Sequence, residues 1–358
     1  VALLAMASAA EEQPEVGVEC VSEVADGPLR LTALQEQEPS ISRKDLQALA
    51  KAGFHTVESL AFTATKRLRE LGKAGDLPVW SDDKIKMLQR AAAKCVPLGF
   101  QVASECLAQR EQMIRLTTGS AKLDGLLQGG IETGSITELH GEFRSGKSQL
   151  CHQLCISAQL PLDQRGGEGK ALFIDTEGTF RPERLKDMAR KRGLNEEDVL
   201  NNVCCARAYT AEHQISLLKM AAALMTESRF AVVIVDSATA LFRTDYTGRG
   251  DLAERQQQLG QFLRMLQRIV DEFGVAAVIT NQVMASVDAL PGPYAGPTSR
   301  PVGGHVLAHA CQTRLSFRKG RGTARVCKVV DSPSLPEGES EFAILPGGIS
   351  DVTKEGKL

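Results

Sequence analysis

None of the nine cysteines belongs to a CxxC pair, and Cys204 and Cys205 are adjacent, which suits neither a zinc ribbon nor the disulfide framework of a small secreted domain. A reducing compartment is therefore expected. No apolar run reaches the roughly 20 residues needed to cross a bilayer, which argues against a membrane-spanning protein. The opening VALLAMASAA lacks a basic segment in front of it and runs straight into Glu11 and Glu12, unlike a secretory signal. Internal repeats and long low-complexity runs are missing, so the pattern is not that of a solenoid. Positive charge is not in excess either: the net charge is −2, and a polyanionic partner would have to be met by local basic loops rather than by a global field. The single tryptophan, Trp80, reads as a packing residue.

What is present is the composition of a folded protein with a large core. Hydrophobic residues make up 43% and charged residues 24% of 358 residues, a length that suggests a main domain with smaller attachments. The charge is divided unevenly. Residues 1–38 carry eight acids and one base, a net −7, which leaves +5 for the remainder. That segment has no hydrophobic periodicity and is expected to be a disordered acidic tail.

From Pro39 the pattern turns helical. Ser42-Arg-Lys-Asp45 has the form of a capping box before Leu46 and Leu49, and Gly53 stands where a left-handed residue would close that helix. A second helix is expected after Thr56. A third is expected from Ser81, with Ile85, Leu88, Ala92 and Cys95 on one face, ending before Pro97. Residues 39–96 thus form a small all-helical domain and 97–112 a connector. Residues 113–358 alternate apolar strands with helices, the pattern of an α/β fold with a mostly parallel central sheet covered on both faces. The expected strands are Ser135–His140, Ala171–Asp175, Val203–Ala208, Ala231–Asp236 and Val275–Thr280. A long helix over Leu252–Phe273 carries Leu259, Phe262, Leu263, Leu266 and Val270 on one stripe.

The chemistry concentrates in Gly141-Glu142-Phe143-Arg144-Ser145-Gly146-Lys147-Ser148, which fits GxxxxGK[ST] between a strand and a helix that begins at Gln149. Such a loop turns backbone amides on phosphates, its lysine meets the outer phosphates, and its hydroxyl can ligate magnesium. A magnesium nucleotide also calls for a carboxylate at a neighbouring strand end, and Asp236 closes the run Val232-Val-Ile-Val235. Glu177, just past Phe173-Ile-Asp175, is placed either to orient a hydrolytic water or to pair with a surface arginine; the residues by themselves leave both open. ATP and Mg2+ are the expected cofactors.

The runs LTTGSAKLDGLLQGGIETGSITE (116–138), GEFRSGKSQLCHQL (141–154), FIDTEGTFRPERL (173–185), VDSATALFRTDYTGRG (235–250), DEFGVAAVITNQV (271–283) and RLSFRKGRGTARVCKVVDSP (314–333) resemble the eukaryotic RecA-like DNA strand-exchange recombinases. The likeness extends over about residues 44 to 350, and its wording is nearer the general, mitotic type than the meiosis-specific paralogue. It implies a RecA-like P-loop ATPase core, DNA-dependent ATP hydrolysis, and filaments on single-stranded DNA with ATP between protomers. Homologous pairing with double-stranded DNA, a role in double-strand-break repair and a nuclear location with a cytoplasmic pool follow from the same likeness.

By position, the resemblance implies catalytic roles for Glu177 and Lys147, with Gln282 coupling nucleotide to DNA. It sets Arg184 against adenine, His309 as a γ-phosphate sensor from the adjoining protomer, and Asp331 to Pro336 as a cap over the neighbour's nucleotide. Arg249 would contact the DNA backbone and Val287 would wedge between bases. Arg144, Arg318 and Lys328 would form a second DNA site. Phe100-Gln-Val-Ala103 matches the FxxA element that adds a strand to the next protomer's sheet, a mode shared with mediators carrying FxxA-like motifs. The sequence departs from the pattern at Leu71–Trp80, where a longer, Pro-containing link replaces a glycine-centred hairpin, and at Ala285–Arg300, a Gly/Pro-rich loop in which the alignment of Tyr294 is open. A regulatory paralogue would keep the fold without driving exchange, a RecA-like helicase would unwind duplex, and a scaffold would show no stimulation by DNA.

Overall fold

The structure is a computed structural model and describes residues 28–96, 98–248, 250–285 and 299–352. Among the described residues five helices come first: α1 (Ala33–Gln37), α2 (Arg43–Lys51), α3 (Val57–Ala61), α4 (Thr65–Ala74) and α5 (Asp82–Cys95). The capping box is formed: the Ser42 hydroxyl accepts from the Asp45 amide while the Asp45 carboxylate accepts from the Ser42 amide. Thr56 caps α3 in the same reciprocal way with Ser59, and the Ser81 hydroxyl caps α5 by accepting the Lys84 N–H alone. Leu34, Leu49, Leu60, Leu68 and Leu88 are buried in one cluster, with Trp80 packed at its border.

Two features of this region differ from expectation. Residues 28–38 of the acidic segment are folded, because Leu31 and Leu34 supply an apolar face that packs on α5; residues 1–27 lie outside the described residues. The residues 71–80 are less of a link than their composition suggests. Leu71–Ala74 complete α4, Gly75 ends it in the left-handed region, and Leu77 is buried in the cluster.

The connector is partly helical. After the exposed Phe100 comes α6 (Ala103–Glu111), which buries no residue and begins at Ala103 itself. There follow β1 (Arg115–Leu116), α7 (Ala121–Leu126), β2 (Ile131–Glu132), β3 (Ile136–Gly141), α8 (Lys147–Ser157), β4 (Lys170–Asp175), α9 (Pro182–Lys191) and α10 (Glu196–Asn201). The chain continues through β5 (Val203–Arg207), α11 (Ala211–Glu227), β6 (Phe230–Asp236), α12 (Ala240–Asp245), α13 (Leu252–Phe273), β7 (Ala276–Asn281), β8 (Val283–Ala285) and β9 (Ser299–Pro301). It closes with α14 (Gly304–Ala310), β10 (Thr313–Lys319), β11 (Ala324–Asp331), β12 (Gly338–Leu345) and β13 (Gly348–Asp351).

Nine strands form one sheet in the order β13-β12-β11-β10-β3-β7-β6-β4-β5. From β10 to β5 every pairing is parallel, and β11 to β13 extend it antiparallel. The five strands expected from the sequence are β3, β4, β5, β6 and β7; the sixth parallel member, β10, was not expected. Strand β6 shows why they read as unbroken apolar runs: Val232 and Ile234 face the core beneath α8 and α9, whereas Val233 and Val235 face the core beneath α11 and α13. The expected stripe of α13 is buried in that second core. The helical bundle rests on the same helix, where the Thr56 hydroxyl donates to Glu272 and Arg268 Nη1 lies 3.5 Å from Thr63 Oγ1.

Candidate active site

Strands β3, β4, β6 and β7 end side by side, with Asp175 opposite Asp236 and His140 opposite Asn281. In a parallel α/β sheet this edge is where ligands are held. Here it opens into a cavity of about 800 Å³ lined by residues 141–149 together with Glu177, Asp236 and Gln282. The turn from β3 into α8 needs glycine at position 141: its φ is 154°, and a Cβ there would lie 2.1 Å from the Phe317 carbonyl oxygen on β10.

Lys147 folds back over this turn, its Nζ donating to the carbonyls of Gly141 at 2.8 Å and Glu142 at 3.0 Å. Burial lowers its pKa, and the charges of Asp236 and Glu177 act in the opposite sense. The Asp236 carboxylate is buried, accepting from Thr179 Oγ1 at 3.0 Å on one oxygen and from the Thr280 hydroxyl on the other. The buried hydroxyls of Ser145 and Ser237 have no hydrogen-bond partner among the described residues. Two unpartnered hydroxyls, a lysine and a carboxylate around one cavity fit a magnesium-bound phosphate group, which would supply the missing partners.

Glu177 is joined directly to Gln282: the amide Nε2 donates to Oε1 at 2.7 Å. Arg243 Nη1 donates to the other end of the same amide at 3.0 Å. Gln282 stands between β7 and β8, and β8 pairs antiparallel with β9. One backbone bond and one side-chain bond close the base of this ribbon, with Val302 N–H donating to the Gln282 carbonyl at 3.0 Å and the Asn281 side-chain Nδ2 to the Val302 carbonyl at 2.7 Å.

The structure thus brings together Lys147, Ser148, Asp236, Glu177 and Gln282. Arg184 is nearby but engaged, donating to Gln149 Oε1 at 2.9 Å and to the carbonyls of Leu345 and Pro346, both at 2.6 Å. His309 on α14, Asp331 at the end of β11 and Pro336 beyond it do not line the cavity. Arg318 and Lys328 share one exposed face of the β10–β11 hairpin, each beside an acid of the following segment: Arg318 lies 3.0 Å from Glu339 and Lys328 3.7 Å from Glu337. The Arg144 guanidinium lies 5.4 Å from the centroid of the exposed Phe143 ring. Arg249, Val287 and Tyr294 lie outside the described residues.

Several residues of the site went unread in the sequence. Thr323 reaches the cavity from the β10–β11 turn and Arg325 from the start of β11, where its Nε donates to the Arg144 carbonyl at 3.1 Å. The alternation of RLSFRK and ARVCKVVD around Gly-Arg-Gly was the signal for that hairpin. His152, on α8, accepts the Arg181 N–H at 3.0 Å through Nε2 and lies 2.6 Å from the Ser148 carbonyl through Nδ1. That pairing requires the neutral tautomer protonated on Nδ1, and burial lowers the pKa accordingly.

An α/β protein whose phosphate-loop motif joins β3 to α8, with acidic residues past the ends of β4 and β6, has the RecA-like core, here preceded by a helical bundle. A family model described as Rad51 matches residues 109–352, and the chain belongs to the Rad51 family. DNA repair protein RAD51 homolog A of Zea mays is 54% identical over 330 residues, covering 92% of this chain and 94% of the relative. DNA repair protein RAD51 homolog 1 of Arabidopsis thaliana is 54% identical over 329 residues, with the same coverage. The Drosophila melanogaster DNA repair protein Rad51 homolog is 51% identical over 342 residues, covering 96% and 99%. These names agree with a resemblance to the general type rather than to the meiosis-specific paralogue.

Proposed function

We propose that this protein is an ATP-dependent recombinase that forms filaments on single-stranded DNA and pairs it with homologous duplex during double-strand-break repair. The observation that carries this reading is the hydrogen bond from Gln282 to Glu177, because it joins the nucleotide cavity to the ribbon β8–β9 that brackets residues 286–298. A stand-alone nucleotide-binding protein has no need of such a link.

On this reading Lys147 meets the outer phosphates, and Ser148 and Asp236 hold Mg2+, whose charge offsets that of the phosphates when it is bound. Glu177 orients the attacking water and accepts its proton. Gln282 senses the nucleotide and sets the entry angle of the DNA-binding loop that includes Val287, while Arg249 meets the phosphate backbone. Arg144, Arg318 and Lys328 form the second DNA site, the last two by exchanging their acidic neighbours for phosphates. His309, Asp331 and Pro336 act on the neighbour's nucleotide, which agrees with their distance from the cavity of their own chain. Arg184 braces Gln149 behind the loop and offers the flat of its guanidinium to adenine.

Filament growth on this reading uses Phe100 and Ala103 against β5. That strand ends the sheet, so its outer backbone groups are open to an added strand, from the next protomer or from a mediator with an FxxA-like motif. Among the described residues no helix is long and apolar enough to cross a membrane. Action on chromosomal DNA sets the nucleus as the working location.

The test is a joint-molecule assay with single-stranded DNA, homologous duplex, ATP and Mg2+. Joint molecules are expected with the protein and not with Lys147→Ala, which removes the phosphate cation. Unwinding of duplex without pairing would replace this reading by a helicase, and pairing by Lys147→Ala at the normal rate would remove the nucleotide site from it.

A further inference from the structure

Asp175 ends β4 and is buried, yet its carboxylate is the most heavily engaged in the neighbourhood of the site. Oδ1 accepts the backbone N–H groups of Glu177 at 3.1 Å, Gly178 at 2.7 Å and Thr179 at 3.1 Å, and Oδ2 accepts that of Phe180 at 3.3 Å. Arg207, the last residue of β5, adds an ion pair with Nη1 3.0 Å from Oδ1. A buried carboxylate is tolerated only when donors and a cation replace its lost water. Here the donors are four successive amides, so the same charge that must be satisfied dictates the path of residues 177–180.

That path is tight. Gly178 sits at φ 75°, a left-handed backbone that favours glycine, and a Cβ on it would come within 3.1 Å of Arg207 Nη1, so the loop wraps closely against the guanidinium. Two side chains leave the wrapped loop toward the cavity. Glu177 reaches Gln282 at 2.7 Å, and Thr179 donates to Asp236 at 3.0 Å. Asp175 itself does not line the cavity.

We infer that Asp175, clamped by Arg207, is the positioning residue that holds Glu177 and Thr179 in their working places, so that hydrolysis depends on a carboxylate that touches no nucleotide. The inference rests on the reading of Glu177 as the water-orienting group. Asparagine at position 175 would keep one acceptor oxygen but turn an NH2 group against an amide or the guanidinium. Glutamate would keep the charge but push it one methylene into the loop.

The experiment measures DNA-stimulated ATP hydrolysis by the full-length protein, with nucleotide affinity from a fluorescent ATP analogue and thermal midpoints alongside. Asp175→Asn and Asp175→Glu are expected to lower kcat by about tenfold or more, the factor that about 1.4 kcal/mol of lost transition-state stabilisation represents, with analogue Kd within about twofold of wild type. Arg207→Gln should lose part of kcat and Arg207→Lys should recover it, a rescue that mere packing would not give. Wild-type kcat in Asp175→Asn overturns the inference, and so does a loss that follows nucleotide affinity and thermal midpoint in parallel. If Asp175→Asn does not fold, the comparison of Arg207→Gln with Arg207→Lys decides, and equal kcat in both overturns it. Glu177→Gln is run beside them: normal turnover in that variant removes the reading of Glu177 itself, whereas its loss with an unaffected Asp175→Asn removes only the present inference.

Discussion

Gln282 has both ends of its amide occupied, Nε2 on Glu177 and Oε1 on Arg243. Arg243 belongs to α12, which runs into the segment holding Arg249, and Gln282 leads into the segment holding Val287. One amide therefore connects the nucleotide cavity to the bases of both proposed DNA loops. A residue so placed can transmit a difference in nucleotide state only if both ligands bias the same arrangement, and the resulting coupling is reciprocal. Gln282→Ala is expected to bind ATP normally, to lose most of the stimulation of hydrolysis by single-stranded DNA, and to lose the tightening of DNA binding by ATP. Coupling free energies of about 1–3 kcal/mol correspond to factors of roughly 5 to 150, well within reach of a titration of labelled single strand at fixed salt. An ATP effect of wild-type size in the variant would refute the coupling role.

At the scale of elements, the connector is the least self-sufficient part of the chain. Phe100 is fully exposed and α6 buries nothing, although Leu98, Val102 and Leu107 are also exposed there. So much apolar surface on a short connector marks a contact surface rather than a solvated linker. In the proposed filament the opposite end of such a contact is the edge strand β5. Phe100→Glu is expected to convert the filament-forming protein to monomers in light scattering, because a carboxylate entering an apolar pocket loses its hydration without a partner. Its thermal midpoint should stay near that of the parent protein, since the side chain makes no packing contribution to its own chain. Unchanged oligomer size would remove the FxxA assignment.

The whole molecule is held together at a seam between the helical bundle and the core, and one buried acid sits in it. Glu272, on α13, accepts from the Thr56 hydroxyl, and burial pushes its pKa up to about 7, with the nearby charge of Glu58 adding to the rise. A raised carboxylate pKa means that the folded state holds the proton more tightly than the unfolded state. The contribution is therefore fully present below the unfolded value near 4.5 and is lost as pH rises through about 7. The shift corresponds to roughly 3 kcal/mol at its fullest. Glu272→Gln keeps an acceptor for Thr56 without the charge. It is expected to be more stable than the parent protein at pH 8, with the advantage shrinking as pH falls from 7 toward 5. Thermal melts across that range test it, and a pH-independent difference would exclude titration of this group.

Local rules were enough to read the phosphate loop and its strand–helix setting, five of the six parallel strands and the stripe of α13, since each is written in contiguous residues: a glycine spacing, an apolar run, a 3.6-residue period. The capping box at Ser42 belongs with them. The antiparallel extension β11 to β13 escaped because its strands are half exposed and their pairing depends on residues far along the chain. Leu31 and Leu34 likewise acquire meaning only against α5, which is why a segment acidic in composition is folded at its end. The site divides the same way. Lys147, Ser148 and Asp236 announce themselves by motif. The bridge from Glu177 through Gln282 to Arg243, and the four amides gathered on Asp175, join residues more than thirty positions apart or depend on how one loop wraps. Such contacts are made by the sheet order, which sets β5, β4, β6 and β7 edge to edge, and by burial, which leaves a carboxylate to be satisfied by the backbone beside it and by the one arginine of the neighbouring strand.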